Sequence, residues 1–123
     1  MTISNYLELK ILDKVLRNVD FTVTTPYVSL HTADPGETGA SEATGGSYAR
    51  QSAAFDAASA GATANSAIID FTLMPAATIT HVGIWDASTS GNFLWGGALA
   101  ASKTTNSGDT FRIAAGDLDV SLD

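Results

Sequence analysis

The 123 residues provide for one domain, and a 45% hydrophobic content is too high for a chain disordered throughout. The net charge of −7 comes with no Lys/Arg cluster to displace phosphate counterions, which argues against sequence-independent binding of nucleic acid. There is no cysteine for a disulfide or a Cys-ligated zinc, no apolar run near the roughly 20 residues that cross a bilayer, and no signal-like region after Met1, so the expected product is soluble with no membrane partner.

The first element is a helix expected over residues 5–19. Tyr6 or Leu7, Ile11, Leu12, Val15, Leu16 and Val19 recur at spacings of three and four and so share a face. Asn5 stands in the capping position, with Glu8 following as in a capping box. Covering the domain's own core is the simpler reading of this stripe. Docking on a neighbouring subunit is the other, and charge keeps it open: Lys10, Lys14 and Arg17 balance Glu8, Asp13 and Asp20, so the whole −7 belongs to residues 21–123.

After Asp20 the period changes to alternation. Tyr27 to Thr32 reads as a half-buried strand, entered through Pro26, where a missing N–H costs least. Further strands are expected over Tyr48–Phe55, Ser66–Leu73, Thr78–Asp86, Asn92–Leu99, Thr110–Ile113 and Leu118–Leu122, separated by Gly-, Asn- and Asp-rich turns. The runs around Trp85 and Trp95 should pair as a hairpin, with Gly83, Gly96 and Gly97 marking a bulge or a close backbone approach. Ala33 to Ser47 contains nothing larger than glutamate and is expected to run over the surface or lie against a partner. Asp56 to Asn65, almost wholly Ala, Ser, Gly and Thr, reads as a flexible connection. The expected fold is mostly β: one domain over 1–123, with an amphipathic helix in 1–20 followed by a single antiparallel, jelly-roll-like β-sandwich over 27–122 that carries a surface loop at 33–47.

Little in this pattern points to catalysis. His31 and His81, with Asp34 and Asp86 nearby, form no local metal-ligand motif, and alternation puts His31 on the face of Tyr27 and Ser29, read as the outer one. No serine lies in a nucleophile elbow, and Thr44-Gly45-Gly46-Ser47 lacks the strand and helix that a phosphate cradle requires. Asp117 and Asp119 share a strand face and read as solvated. The expectation is no enzyme, no cofactor and no metal. Much of the apolar content is alanine, which buries little area, so an isolated monomer would have a modest core that assembly would reinforce.

An ordered set of short motifs carries a resemblance. It runs from Leu30-His31-Thr32-Ala33-Asp34-Pro35-Gly36-Glu37-Thr38-Gly39 through Glu42 to Gly45-Gly46-Ser47-Tyr48-Ala49-Arg50-Gln51. It continues through Ile79-Thr80-His81-Val82-Gly83-Ile84-Trp85-Asp86 and Gly108-Asp109-Thr110 to Ala115-Gly116-Asp117-Leu118. With the leading helix, the set resembles a family of small tailed-phage virion structural proteins. Its members are labelled capsid cement or decoration proteins, or tail fibre and minor tail proteins. The resemblance implies synthesis in the host cytoplasm and a final place in the virion. Compactness, the lack of internal repeats and the apparent surface arms favour a cement protein on the outer capsid, reinforcing capsomer contacts through many weak bonds. A tail-associated adaptor, fibre or minor tail protein is the alternative. A receptor- or carbohydrate-binding module, with Trp85 or Trp95 as an exposed stacking platform, is the second. The expected partners are further copies in a dimer or trimer and the major capsid protein, or alternatively tail proteins. Candidate contact residues are Leu7, Ile11 and Val15 on the helix, and Asp34, Pro35, Glu37, Glu42, Tyr48 and Arg50 in or after the loop.

Overall fold

A computed structural model describes residues 1–122. In chain order the elements are β1 (Thr2–Ile3), α1 (Asn5–Arg17), β2 (Tyr27–His31), β3 (Gln51–Ser52), β4 (Ala62–Ala64), β5 (Ile69–Met74), β6 (Ala77–Trp85), β7 (Phe93–Thr105), β8 (Asp109–Ile113) and β9 (Asp119–Ser121). One antiparallel sheet runs β1-β7-β6-β2-β3, and the pairs β5-β8 and β4-β9 complete a β-sandwich-like fold. Within the described residues no helix is long and apolar enough to cross a membrane.

The core lies between these layers. Val28 and Leu30 stand directly opposite Ile84 and Val82 in the β2-β6 register, and all four are buried. They meet Ile69, Phe71 and Met74 from β5, Phe111 and Ile113 from β8, and Leu118 and Val120 near the C-terminus. Phe71 stacks on Tyr48, with ring centres 6.0 Å apart, and meets Phe111 edge-on at 6.3 Å. Each fully buried side chain of this size contributes about 1.5–3 kcal/mol. The hairpin expected around the tryptophans is present: β6 pairs with β7, Ile84 opposite Trp95, with register shifts that mark irregularities.

Three expectations change. The strand expected from Tyr48 to Phe55 shrinks to Gln51–Ser52, because Tyr48 leaves the ladder to reach the Leu30 N–H through its hydroxyl, 3.0 Å away. The supposed flexible connection Asp56–Asn65 contains β4, which pairs with β9, Thr63 opposite Val120. Small residues need no core contact to be held when their backbone groups are paired. Asn65, 1% exposed, secures the end of that segment: its amide donates to Ala67 O at 2.8 Å and Ala114 O at 3.0 Å, and its oxygen accepts from Leu118 N at 2.9 Å.

The helix is the third. Ser4, not Asn5, caps it, its hydroxyl accepting from Leu7 N at 3.2 Å, so Glu8 falls outside a capping box. Ser4 is itself fixed to β7, donating from Oγ to Phe93 O at 2.6 Å and from its backbone to Leu94 O at 2.8 Å. The helix ends at Arg17, with Asn18 in the left-handed conformation at φ 54°. Of the expected stripe, only Leu7 is buried, and Tyr6 and Ile11 are half-buried. The stripe covers the domain's own core through Tyr6, Leu7 and Ile11, and its remaining residues stay exposed.

Candidate interaction surfaces

The loop Ala33–Ser47 shapes the first surface. It lies on the outer face of the five-stranded sheet, so β2 is buried on both sides. Gly83 and Gly96 are direct partners across β6 and β7 and leave a hollow without side chains. A Cβ at Gly83 would stand 2.6 Å from Phe93 Cε1 and 2.8 Å from His31 Nε2, and one at Gly96 would stand 2.7 Å from Pro35 Cγ. The Phe93 ring enters that hollow, and Pro35 of the loop closes it at Gly96. Pro35 is buried, and Gly39, at φ +77°, comes down on the Trp85 indole where no side chain fits. Thr32 N donates to Ser41 O at 3.0 Å and Ala43 N to Leu30 O at 2.8 Å, tying the loop to β2. The loop is therefore not a free arm. Its lack of bulk is what lets its backbone approach so closely.

Beneath it runs a closed polar chain. Trp85 Nε1 donates to Ser29 Oγ at 2.9 Å, Ser29 Oγ lies 2.6 Å from His31 Nε2, and His31 Nδ1 lies 2.7 Å from Ala40 O. A carbonyl only accepts, so Nδ1 carries the proton and Nε2 accepts from the serine hydroxyl. Burial holds the His31 pKa below its ordinary value, which keeps the ring neutral, although the Ala40 carbonyl and Glu42 pull the other way. Ser29 and His31 are both 0% exposed, because the loop covers the outer face on which alternation places them. Alternation marks a solvated face only where nothing covers it. The serine–histidine pair resembles a nucleophile and its base, but the hydroxyl is enclosed and already accepts from the indole.

Glu42, Tyr48 and Arg50 form the rim. Arg50 donates to Glu42 from Nε at 3.0 and 3.3 Å and from Nη2 at 3.0 Å, and Tyr48 donates to Glu42 Oε2 at 2.8 Å. Arg50 Nη1 also reaches Ala87 O at 3.0 Å and Ser90 O at 2.8 Å, joining the loop to the β6–β7 turn. Burial, with the bond to Glu42, raises the Tyr48 pKa far above its ordinary value. Arg50 lies over Trp85, which is 8% exposed and presents no open ring face. Trp85 is thus no stacking platform. Trp95 is half-buried, and its Nε1 is the one buried side-chain polar atom without a partner among the described residues.

The other candidate contact residues divide. Asp34 is exposed and accepts from Gly36 N at 2.9 Å, an Asx turn that starts the loop. Glu37 is exposed, and its carboxylate accepts from Asn5 N at 2.6 Å, a favourable place for negative charge at a helix N-terminus. Leu7 and Pro35 are buried inside the chain and have no surface to offer a partner. Val15 is 72% exposed and belongs to the second surface. His81 is half-buried, with Nδ1 2.7 Å from Thr80 Oγ1. Asp117 and Asp119 are exposed, Asp119 alone lying in β9. No three His, Asp or Glu side chains converge as metal ligands among the described residues.

That second surface is the outer face of α1. Leu9, Leu12, Val15 and Leu16 are 64%, 54%, 72% and 74% exposed, and Val19 just beyond is 41% exposed. Beside it, Leu7, Ile11, Phe21, Val23, Leu94 and Trp95 line part of an apolar pocket of about 370 Å³. The periodicity that identified the helix also identified most of this face. Leu9 was outside the expected stripe.

Among the described residues the chain is a β-sandwich-like structural module whose buried side-chain polar atoms, Trp95 Nε1 apart, are engaged internally, with one apolar helix face left open. Comparison with known families gives the particular one: the family described as podophage GP4 fiber I protein gp80 matches residues 2–121, and the chain belongs to it. It is a structural protein of the tailed-phage virion. No curated protein matches the chain.

Proposed function

We propose that the chain works as a fibre component of a podophage tail, held by other tail proteins and by further copies of itself, without catalysis or cofactor. The match to a fibre family over residues 2–121 carries this reading. The fold favours it over capsid cement, because the cement reading drew on a flexible arm and Ala33–Ser47 is instead bound to its own sheet. The covering of Trp85 gives a glycan-stacking role no support from that residue. The non-enzymatic reading rests on the enclosure of Ser29 and His31. Gold-labelled antibody against the protein, imaged on intact particles, tests the placement. Label confined to the tail is the expected result, and label spread over the capsid surface would overturn it in favour of cement.

A further inference from the structure

Helix α1 is only 13 residues long, and helices of that length are marginal in water unless an amphipathic face is packed. Here the packing involves Tyr6, Leu7 and Ile11 and leaves the rest of the apolar stripe exposed. Ser4 and Leu7 hold the first turn against β7, while Leu9, Leu12, Val15 and Leu16 extend along a face the chain itself leaves open. These residues with Val19 present on the order of 500 Å² of apolar surface, at the upper end of what monomers expose and a large part of the roughly 800 Å² per partner in a standard interface.

Charge selects the occupant. The whole −7 lies in residues 21–123, so two copies meeting body to body repel, whereas residues 1–20 sum to zero. The helix is the part of the chain through which two copies meet without that penalty. Lys14 and Arg17 are already paired within the chain, with Asp20 at 3.3 Å and Asp13 at 3.2 Å, so they bring little net charge to such a contact. Ile11 lines the apolar pocket beside this face and offers the neighbour's side chains a place to enter.

We propose that copies of this chain associate through α1, with Leu9, Leu12, Val15 and Leu16 packing on the same residues of a second copy. This names a partner surface within the fibre reading and does not depend on where in the virion the protein sits. The chain's lack of cysteine makes a direct test available. Val15→Cys, mildly oxidised in dilute solution or treated with a short bis-maleimide, should give covalent dimers in high yield, while Ser107→Cys on the β7–β8 turn should give few. Sedimentation of the wild-type chain should show an oligomer that Leu12→Glu/Leu16→Glu converts to monomer with its β-sheet circular dichroism unchanged. A monomeric wild-type chain, or a double variant that keeps its oligomer mass, would overturn the proposal and leave the face to a different protein. Label on the capsid would undo the tail assignment without touching this result.

Discussion

The guanidinium carbon of Arg50 lies 3.6 Å from the centre of the Trp85 ring while the same side chain grips Glu42. Two binding modes thus converge on one planar group, and the Arg50 side chain is only 9% exposed and that of Glu42 21%. Removing the cation leaves a partly buried carboxylate without its counter-ion and uncovers the indole. Arg50→Ala is expected to lower unfolding free energy by about 2–4 kcal/mol. Arg50→Lys should recover less than half of that loss, since an ammonium cannot fork to Glu42 while lying flat on a ring. Urea unfolding checks both, and an Arg50→Lys variant as stable as the wild type would show that charge alone matters here.

Asn65 offers a second test. Its side chain meets two carbonyls and one N–H in the interior, so Asn65→Ala orphans three backbone groups at once. The expected loss is about 2–4 kcal/mol. Amide exchange should quicken in Ala62–Ala64 and Asp119–Ser121 before the five-stranded sheet is affected, because Asn65 joins the ends of those two strands. Uniform acceleration across all strands would contradict that localisation.

Asn65 also shows where the sequence was readable. The strands around Leu30, Ile84 and Phe111 were legible because bulky apolar residues alternate there, and period survives whatever the partner strand is. Residues 56–65 were not, since Ala, Ser, Gly and Thr give no period and their pairing with β9 is set by backbone bonds and one amide. The loop misled for a related reason. Its small residues read as unable to hold a core, yet Pro35 fits against Gly96 and Gly39 against the Trp85 ring. The helix was legible as a helix, but a stripe at period 3.6 shows which residues share a face and not what covers them. Leu12, Val15 and Leu16 fall on the side the domain does not reach.

Gly36 and Gly39 separate conformation from contact. Both have positive φ, +59° and +77°, but a Cβ at Gly36 meets nothing within 4 Å, whereas one at Gly39 runs into the Trp85 and Phe93 rings. Gly36→Ala should therefore cost about 1–2 kcal/mol, the backbone penalty alone. Gly39→Ala should cost at least about 1 kcal/mol more, because the overpacked ring must move. Near-ultraviolet circular dichroism should change for Gly39→Ala only. Equal effects from the two variants would mean that the loop lies less closely on Trp85 than the structure shows.

His31 gives the stability a pH dependence whose sign follows from its burial. The folded pKa is lowered from 6.5, so as pH falls below that value the unfolded chain takes up a proton that the native chain refuses. Stability contributed by the neutral ring is fully present above about pH 6.5 and declines by up to about 1.4 kcal/mol per pH unit, until the folded pKa is reached. Asp70, held below its ordinary value by the Arg112 hydrogen bond, acts in a separate window, since its contribution is lost only as pH falls below about 3.8. Denaturant titrations at pH 7 and pH 5 should therefore show a weaker fold at pH 5. His31→Gln should be less stable at pH 7 but much flatter between the two. Long-range proton–nitrogen NMR of the wild-type chain should find the proton on Nδ1, where the Ala40 carbonyl requires it. A proton on Nε2, or a slope unchanged in His31→Gln, would break the link between this buried chain of hydrogen bonds and the acid sensitivity.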